Sequence, residues 1–85
     1  MTIQFSDRAW EDYTHWQQHD RKLVKKINAL LIDTGRDKPY EGIGKPEPLK
    51  HAFSGFWSRR ITDEHRLVYR VSGDIIQVAM AMYHY

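Results

Sequence analysis

Arg60 and Arg66 are the residues of this chain that most plainly ask for a ligand. Each belongs to a segment that alternates like a β-strand. Ile61 in the first segment and Leu67, Tyr69 and Val71 in the second are apolar positions that must share a core face. Opposed residues of an antiparallel pair lie on one face. Pairing Ile61 with an odd-numbered residue therefore brings Arg60 near Arg66 on the other, open face. Two neighbouring guanidiniums repel and need an anion, and a phosphate matches arginine bidentately. The alternative is a separate surface carboxylate for each.

Glu47 lies between Pro46 and Pro48. Proline fixes its own φ and holds the preceding residue extended, so this carboxylate sits on a stiff segment. A carboxylate held near cations is what a general base requires, although a Pro-Glu-Pro in a surface loop is otherwise ordinary. The chain ends Tyr83-His84-Tyr85. Histidine titrates near neutrality and can protonate a leaving group, and an aromatic ring can stack on an unstacked base. Singly these signals are weak. Together they supply a base, a phosphate clamp, an acid and a stacking ring, with no metal-ligand spacing, so no metal and no cofactor is expected.

The elements that must position these residues follow from pattern. Thr2–Phe5 alternates as a first strand. Ser6 stands as the N-cap of a helix with Asp7 in its first turn. Trp10, Tyr13 and Trp16 form an aromatic stripe through that helix, expected in the core. Asp20 caps a second helix, whose Leu23, Val24, Ile27, Leu30 and Leu31 make one apolar face. Arg21, Lys22, Lys25 and Lys26 take its other side, as a solubilising surface or an RNA contact. Gly35 ends the pattern.

Asp37–Lys50 carries Pro39, Gly42, Gly44, Pro46 and Pro48 and reads as a long loop, of the kind usually kept for function. Phe56–Thr62, Arg66–Ser72 and Ile75–Tyr83 read as three strands of a meander. The expected fold class is α+β, a short N-terminal strand and two helices packed on a C-terminal antiparallel sheet, in a single domain over residues 1–85.

Composition narrows the function. The chain has 85 residues and no cysteine, which excludes disulfides, thiol nucleophiles and cysteine-bound zinc. Its apolar runs are too short to cross a bilayer and nothing near Met1 reads as a signal peptide, so a cytoplasmic protein with no membrane partner is expected. Residues 1–20 hold one arginine against four acids, a balance of −3, whereas the remainder holds twelve Lys or Arg against seven acids, +5. That asymmetry suits a polyanionic partner.

The long runs Lys45-Pro46-Glu47-Pro48-Leu49-Lys50-His51, Ser54-Gly55-Phe56-Trp57-Ser58-Arg59-Arg60-Ile61-Thr62 and His65-Arg66-Leu67-Val68-Tyr69, with the closing Tyr83-His84-Tyr85, closely resemble the YoeB/Txe toxins of the RelE superfamily. The likeness extends to Trp10, Asp12, Tyr13, Trp16 and Gln17 and to Val24-Lys25-Lys26-Ile27-Asn28. The resemblance implies a microbial RNase-like, RelE-type fold. It also implies a metal-independent endoribonuclease that enters the ribosomal A site and cleaves mRNA by 2′-hydroxyl attack, inhibiting translation.

By that resemblance Glu47 matches the general base, His84 the general acid, Arg66 the phosphate-stabilising arginine and Tyr85 the terminal aromatic of the site. Lys50 and Arg60 match flanking cations, and Lys45 and His51 are counted with them as RNA-binding. The implied partners are the ribosome with its mRNA and a YefM/Phd-type antitoxin. A homodimer is left open, and operator DNA is met only through the antitoxin complex. Two positions depart from the pattern. Met82 stands where relatives often carry a basic residue, and the turn from Thr34 to Tyr40 is a residue longer. Strict alternation would put Tyr85 on the face of Gln77 and His84 on the other. A non-catalytic inhibitor that binds the ribosome or RNA is the rival reading; it needs the cations but neither Glu47 nor His84. A DNA-binding role for the basic second helix finds no helix-turn-helix pattern.

Overall fold

Period-two alternation in the last third of the chain builds a sheet, and the sheet organises everything else. The structure, a computed structural model, describes residues 1–36 and 39–83. Among the described residues the elements are β1 (Thr2–Phe5), α1 (Asp7–His19), α2 (Arg21–Thr34), β2 (Glu47–Pro48), β3 (Trp57–Arg60), β4 (Arg66–Ser72) and β5 (Ile75–Met80). A short 3-10 turn covers His51–Phe53. The strands form one five-stranded sheet in the order β1-β5-β4-β3-β2.

The expected antiparallel meander is present as β3, β4 and β5. Its outer strands are shorter than the pattern suggested, because the β3–β4 connection begins at Ile61 and the pairing of β5 stops at Met80. β1 joins the far edge parallel to β5, with Phe5 opposite Val78, so the sheet is mixed. At the other edge the loop expected from Asp37 to Lys50 contains a strand of its own, with Glu47 opposite Ser58.

Both helices begin where capping chemistry places them. The Ser6 hydroxyl accepts from the Ala9 amide at 3.0 Å, and the Asp20 carboxylate accepts from the Lys22 amide at 3.1 Å. Gly35 is the C-cap of α2, but at φ −73° it does not use the left-handed freedom of glycine. The helices cover one face of the sheet. Ala9 of α1 and Ile27, Leu30 and Leu31 of α2 are buried against Leu67, Tyr69, Ile76 and Val78.

The aromatic stripe of α1 meets this core only in part. Trp16 and Tyr13 pack against it, whereas Trp10 is 53% exposed, edge-on to Phe5 and stacked on Tyr13. Each step of three residues falls about 60° short of a full turn, so two steps carry the stripe about 120° around the helix. Trp16 faces the sheet, and Trp10 has swung clear of it. On α2, Arg21, Lys22 and Lys25 are exposed as expected, while Lys26 is half-buried.

Candidate active site

Backbone hydrogen bonds decide how the open face is assembled. Arg60 lies opposite Arg66 across β3 and β4, as strand parity requires. The Arg60 amide donates outward to the Gly44 carbonyl at 2.7 Å, and the Arg66 amide donates the other way, to the Tyr83 carbonyl at 3.0 Å. Neither amide bonds to the facing strand. The two arginines therefore form a non-hydrogen-bonded pair, the closer of the two antiparallel pair types, with Cα atoms about 4.5 Å apart.

The same two amides tie the flanking segments to the site. Gly44 leads into Lys45 and Glu47, and Tyr83 leads into the last two residues. Glu47 lies opposite Ser58, which shares its face with Arg60, so Glu47, Arg60 and Arg66 project from one side of the sheet. Glu47 and Arg60 are exposed and Arg66 is half-buried.

Among the described residues Arg66 is anchored through one arm. Its Nη1 donates to the carbonyls of Thr62 (2.6 Å), Asp63 (2.9 Å) and His65 (3.2 Å). Among the described residues no acid pairs with Arg66 or Arg60, so the separate surface carboxylates are not found. An anion is the chemistry this pair lacks. The centre of the face is not open throughout, since Ser58 and Val68 are buried there.

The site's neighbours hold Ala81 and Tyr83 with polar side chains. The buried Asp12 carboxylate accepts from the Ala81 amide at 3.0 Å and is itself paired with Arg8. The Trp16 indole donates to the Ala81 carbonyl at 2.9 Å. Two residues on, the Tyr83 amide donates to His65 Nδ1 at 2.8 Å, and the rings of Trp16 and Tyr83 lie 4.8 and 5.2 Å from the His65 ring. Strict alternation does not survive to this point. β5 carries a bulge, with Tyr69 opposite Val78 but Val68 opposite Met80, so Ala79 is the extra residue and the facing pattern resets after it. Met82 is half-buried. The expectations for His84 and Tyr85, including their faces, lie outside the described residues.

The remaining cations divide into two groups. Lys45 is exposed and adjoins Gly44 at the Arg60 end of β2 and β3. Lys50 and His51 are exposed at the opposite end, where the chain turns back toward Phe56. The non-glycine residues with positive φ among those described are Lys45 (50°), His51 (58°) and Tyr83 (59°). All three flank the candidate site, and sparsely populated backbone of this kind concentrates at functional sites.

Sequence reasoning passed over one residue that the site depends on. Arg59 is fully buried on the helical face. Its guanidinium donates to Asp33 (2.6 Å), to the Tyr69 hydroxyl (3.1 Å) and to the carbonyls of Pro39 (3.0 Å), Glu41 (2.8 Å) and Ile43 (3.1 Å). The loop that delivers Lys45 and Glu47 is thus wrapped around a buried cation. Gly42 and Gly44 permit the wrapping. Both have positive φ, and a Cβ on Gly42 would strike the Asp33 carboxylate, while one on Gly44 would meet Leu30 at 2.7 Å. The Arg59 hydrogen bond holds the Asp33 carboxyl below its ordinary pKa of 3.8. Burial pushes the Tyr69 hydroxyl above its ordinary 10.0, against the opposing pull of Arg59. The available signal was alternation itself, because Arg59 lies two residues from Trp57 and from Ile61 and so on the core side.

Among the described residues no group of three or more His, Cys, Asp or Glu converges on a point, and no helix is long and apolar enough to cross a membrane.

This architecture recurs in YafQ from Escherichia coli BL21(DE3), with a TM-score of 0.73 over 96% of this chain and 91% of that one. At 19% identity this is a likeness of fold alone. The sequence goes further. The model of the YoeB-like toxin of bacterial type II toxin–antitoxin systems matches residues 5–85. Toxin YoeB of Escherichia coli K12 is 58% identical over 85 residues, covering 100% of both chains. The YoeB/ParE toxin from Agrobacterium tumefaciens superposes with a TM-score of 0.96 at 47% identity, again over 100% of both chains. The toxin of a Staphylococcus aureus YoeB–YefM complex superposes at 0.93 and 52% identity, over 100% of this chain and 98% of that one. The chain belongs to the YoeB-like toxin family, the toxin component of a type II toxin–antitoxin system.

Proposed function

We propose that this toxin is a ribosome-dependent endoribonuclease that cleaves mRNA in the ribosomal A site and so inhibits translation. The observation that carries the reading is the Arg60–Arg66 pair, a close juxtaposition of cations with no acidic partner among the described residues, beside the Glu47 carboxylate on the same face. A ribose 2′-hydroxyl attacks the adjacent phosphorus while Glu47 takes its proton. Arg66, with Arg60 opposite it and Lys45 at the same end of the strands, neutralises charge gathering on the phosphoryl oxygens, while Lys50 at the other end holds the RNA strand. His84 protonates the departing 5′-oxygen, and Tyr85 stacks on a base of the distorted strand. The P–O5′ bond breaks, leaving a 2′,3′-cyclic phosphate and a 5′-hydroxyl end. The sequence calls on no metal for these steps, and His51 serves with the lysines in holding RNA.

With one histidine rather than two in the proposed catalytic set, free RNA is a poor substrate, and the ribosome supplies the geometry of the scissile strand. The partner is a YefM-type antitoxin, as in the Staphylococcus aureus YoeB–YefM complexes, and the toxin can pair with a second copy, as in the YoeB dimer of that organism. An acidic segment folding across the basic face is the form of neutralisation the charge favours. The protein then acts in the cytoplasm and meets operator DNA only through that complex.

Primer extension on translating ribosomes tests the reading. The unmodified protein should leave new 5′-hydroxyl ends within codons, and Glu47→Ala should abolish them. Translation arrest without new ends would favour a non-catalytic inhibitor bound to the ribosome.

A further inference from the structure

A row of polar side chains crosses the open face beyond the Arg60–Arg66 pair. Arg66, Val68 and Arg70 alternate along β4, so Arg70 shares the face of Arg66 and lies about 13 Å from it at the usual strand rise. Arg70 is opposite Gln77 of β5, and Gln77 is beside Gln4 of β1. Arg70 Nε donates to Gln77 Oε1 at 2.6 Å, and Gln77 Nε2 donates to Gln4 Oε1 at 3.0 Å. On its other side the Arg70 guanidinium lies over the Phe56 ring, 5.0 Å from the centroid. Gln4, Gln77, Arg70 and Phe56 line a hollow of about 320 Å³, closed at the β5 bulge by Ser6 and Ala79.

The direction of these hydrogen bonds follows from chemistry. Arginine has only donors, so the Gln77 oxygen must face Arg70 and its amino group must face Gln4. The Gln4 oxygen is then consumed, and its amino group points away from the row. What the hollow has left to offer is donors, the Gln4 amide and the remaining Arg70 N–H groups, beside a guanidinium plane steadied by Phe56. Among the described residues no acid pairs with Arg70. A flat ring with two acceptors on one edge fits such a place: that edge accepts from the remaining Arg70 N–H groups, with the Gln4 amide as a further donor at the rim. Its volume is at the small end for ligand sites, enough for a single ring system. Lys50 and His51 are exposed at this same end of the β2–β3 pair.

We infer that the Gln4–Gln77–Arg70–Phe56 hollow is a second RNA subsite, which takes a nucleobase a short distance along the strand from the cleaved bond and favours guanine. Guanine is selected because it presents two acceptors, O6 and N7, on one edge, the pairing that arginine reads bidentately. The inference rests on the ribonuclease reading for its ligand, and it adds sequence selectivity to it. The chain's own residues, not the ribosome alone, set part of the choice of cleavage position.

The test maps 5′-hydroxyl ends across translated mRNA by sequencing, for the unmodified toxin, Arg70→Lys, Arg70→Ala and Gln77→Leu. The unmodified toxin should enrich guanine at one fixed position near the cut. Arg70→Ala and Gln77→Leu should reduce that enrichment roughly tenfold, through KM rather than kcat. Arg70→Lys should lose the preference while keeping ribosome affinity, since it retains charge without the plane. An identical base profile in all four, at unchanged thermal midpoints, would overturn the subsite and leave the ribonuclease reading intact. Absence of 5′-hydroxyl ends from the unmodified toxin would overturn that reading instead. The subsite has its own readout in that event. Titration with guanosine monophosphate should shift the side-chain amide NMR signals of Gln4 and Gln77 more than cytidine monophosphate does. Equal or absent shifts would overturn it.

Discussion

On the helix-covered face of the sheet Arg59 makes five hydrogen bonds and is closed off from water. On the open face, one residue along, Arg60 has no acidic partner among the described residues and looks across at Arg66. The same side-chain chemistry thus serves two ends, separated only by strand parity. A buried guanidinium must have its charge and donors matched, or the fold loses several kcal/mol. A guanidinium in water can stay unmatched at little cost. The fold therefore concentrates compensation on the helical face, and an unsatisfied pair is left where an anion can reach it. Arg59 also links the faces, because the loop it gathers is the one that presents Glu47.

The largest effect expected from breaking this comparison is on the buried side. Arg59→Leu removes the only cation facing Asp33 in a described ion pair, together with the donors that the carbonyls of Pro39, Glu41 and Ile43 accept from. Urea unfolding should show a loss of about 3–5 kcal/mol. A loss within error of zero would mean that the loop holds itself. If the variant folds at low temperature, its cleavage should also fall, because Glu47 is no longer delivered.

The next effect is in pH. Asp33 has a lowered pKa in the fold, chiefly through its hydrogen bond with Arg59. Its stabilising contribution is fully present above its ordinary 3.8 and is lost as pH falls through the lower folded value. Tyr69 has a raised pKa, chiefly from burial, so its contribution holds below 10.0 and is lost as pH rises through the higher folded value. Thermal midpoints of Asp33→Asn and the unmodified protein should differ at neutral pH and converge in strong acid. A constant difference across the acid range would refute this linkage.

The smallest effect is expected on the open side. Arg60→Gln removes one member of a like-charged pair, so stability should move by no more than about 0.5 kcal/mol, and upward if at all. A fall in thermal midpoint comparable to that of Arg59→Leu would erase the distinction between the faces.

Much of this arrangement was legible in the residues. Ser6 and Asp20 announced the helix starts, and period-two alternation brought Arg60 opposite Arg66, since a one-residue slip would have turned Leu67 and Tyr69 out of the core. Arg59 was hidden because an arginine beside another arginine reads as surface, and charged residues are almost never fully buried unless paired. Its partners are 26 residues upstream at Asp33 and in a loop whose path composition does not reveal. The parallel pairing of β1 with β5 and the bulge at Ala79 depend on non-local contacts and left no local mark. Trp10 misled because three-residue spacing drifts around a helix. Of the candidate catalytic residues, Glu47 and Arg66 share the open face, whereas His84 and Tyr85 lie outside the described residues.

Arg66→Lys tests most directly whether the open face does chemistry while the helical face does folding. The substitution keeps the charge and loses the planar fork. Cleavage of mRNA on purified translating ribosomes, ribosome affinity and the thermal midpoint should be measured on the same preparation. Cleavage is expected to fall by roughly 10²-fold or more, with affinity little changed because several cations share the long-range attraction, and with the midpoint unmoved. Loss of affinity in parallel with cleavage, or a midpoint that drops with it, would contradict the assignment of Arg66 to the reaction.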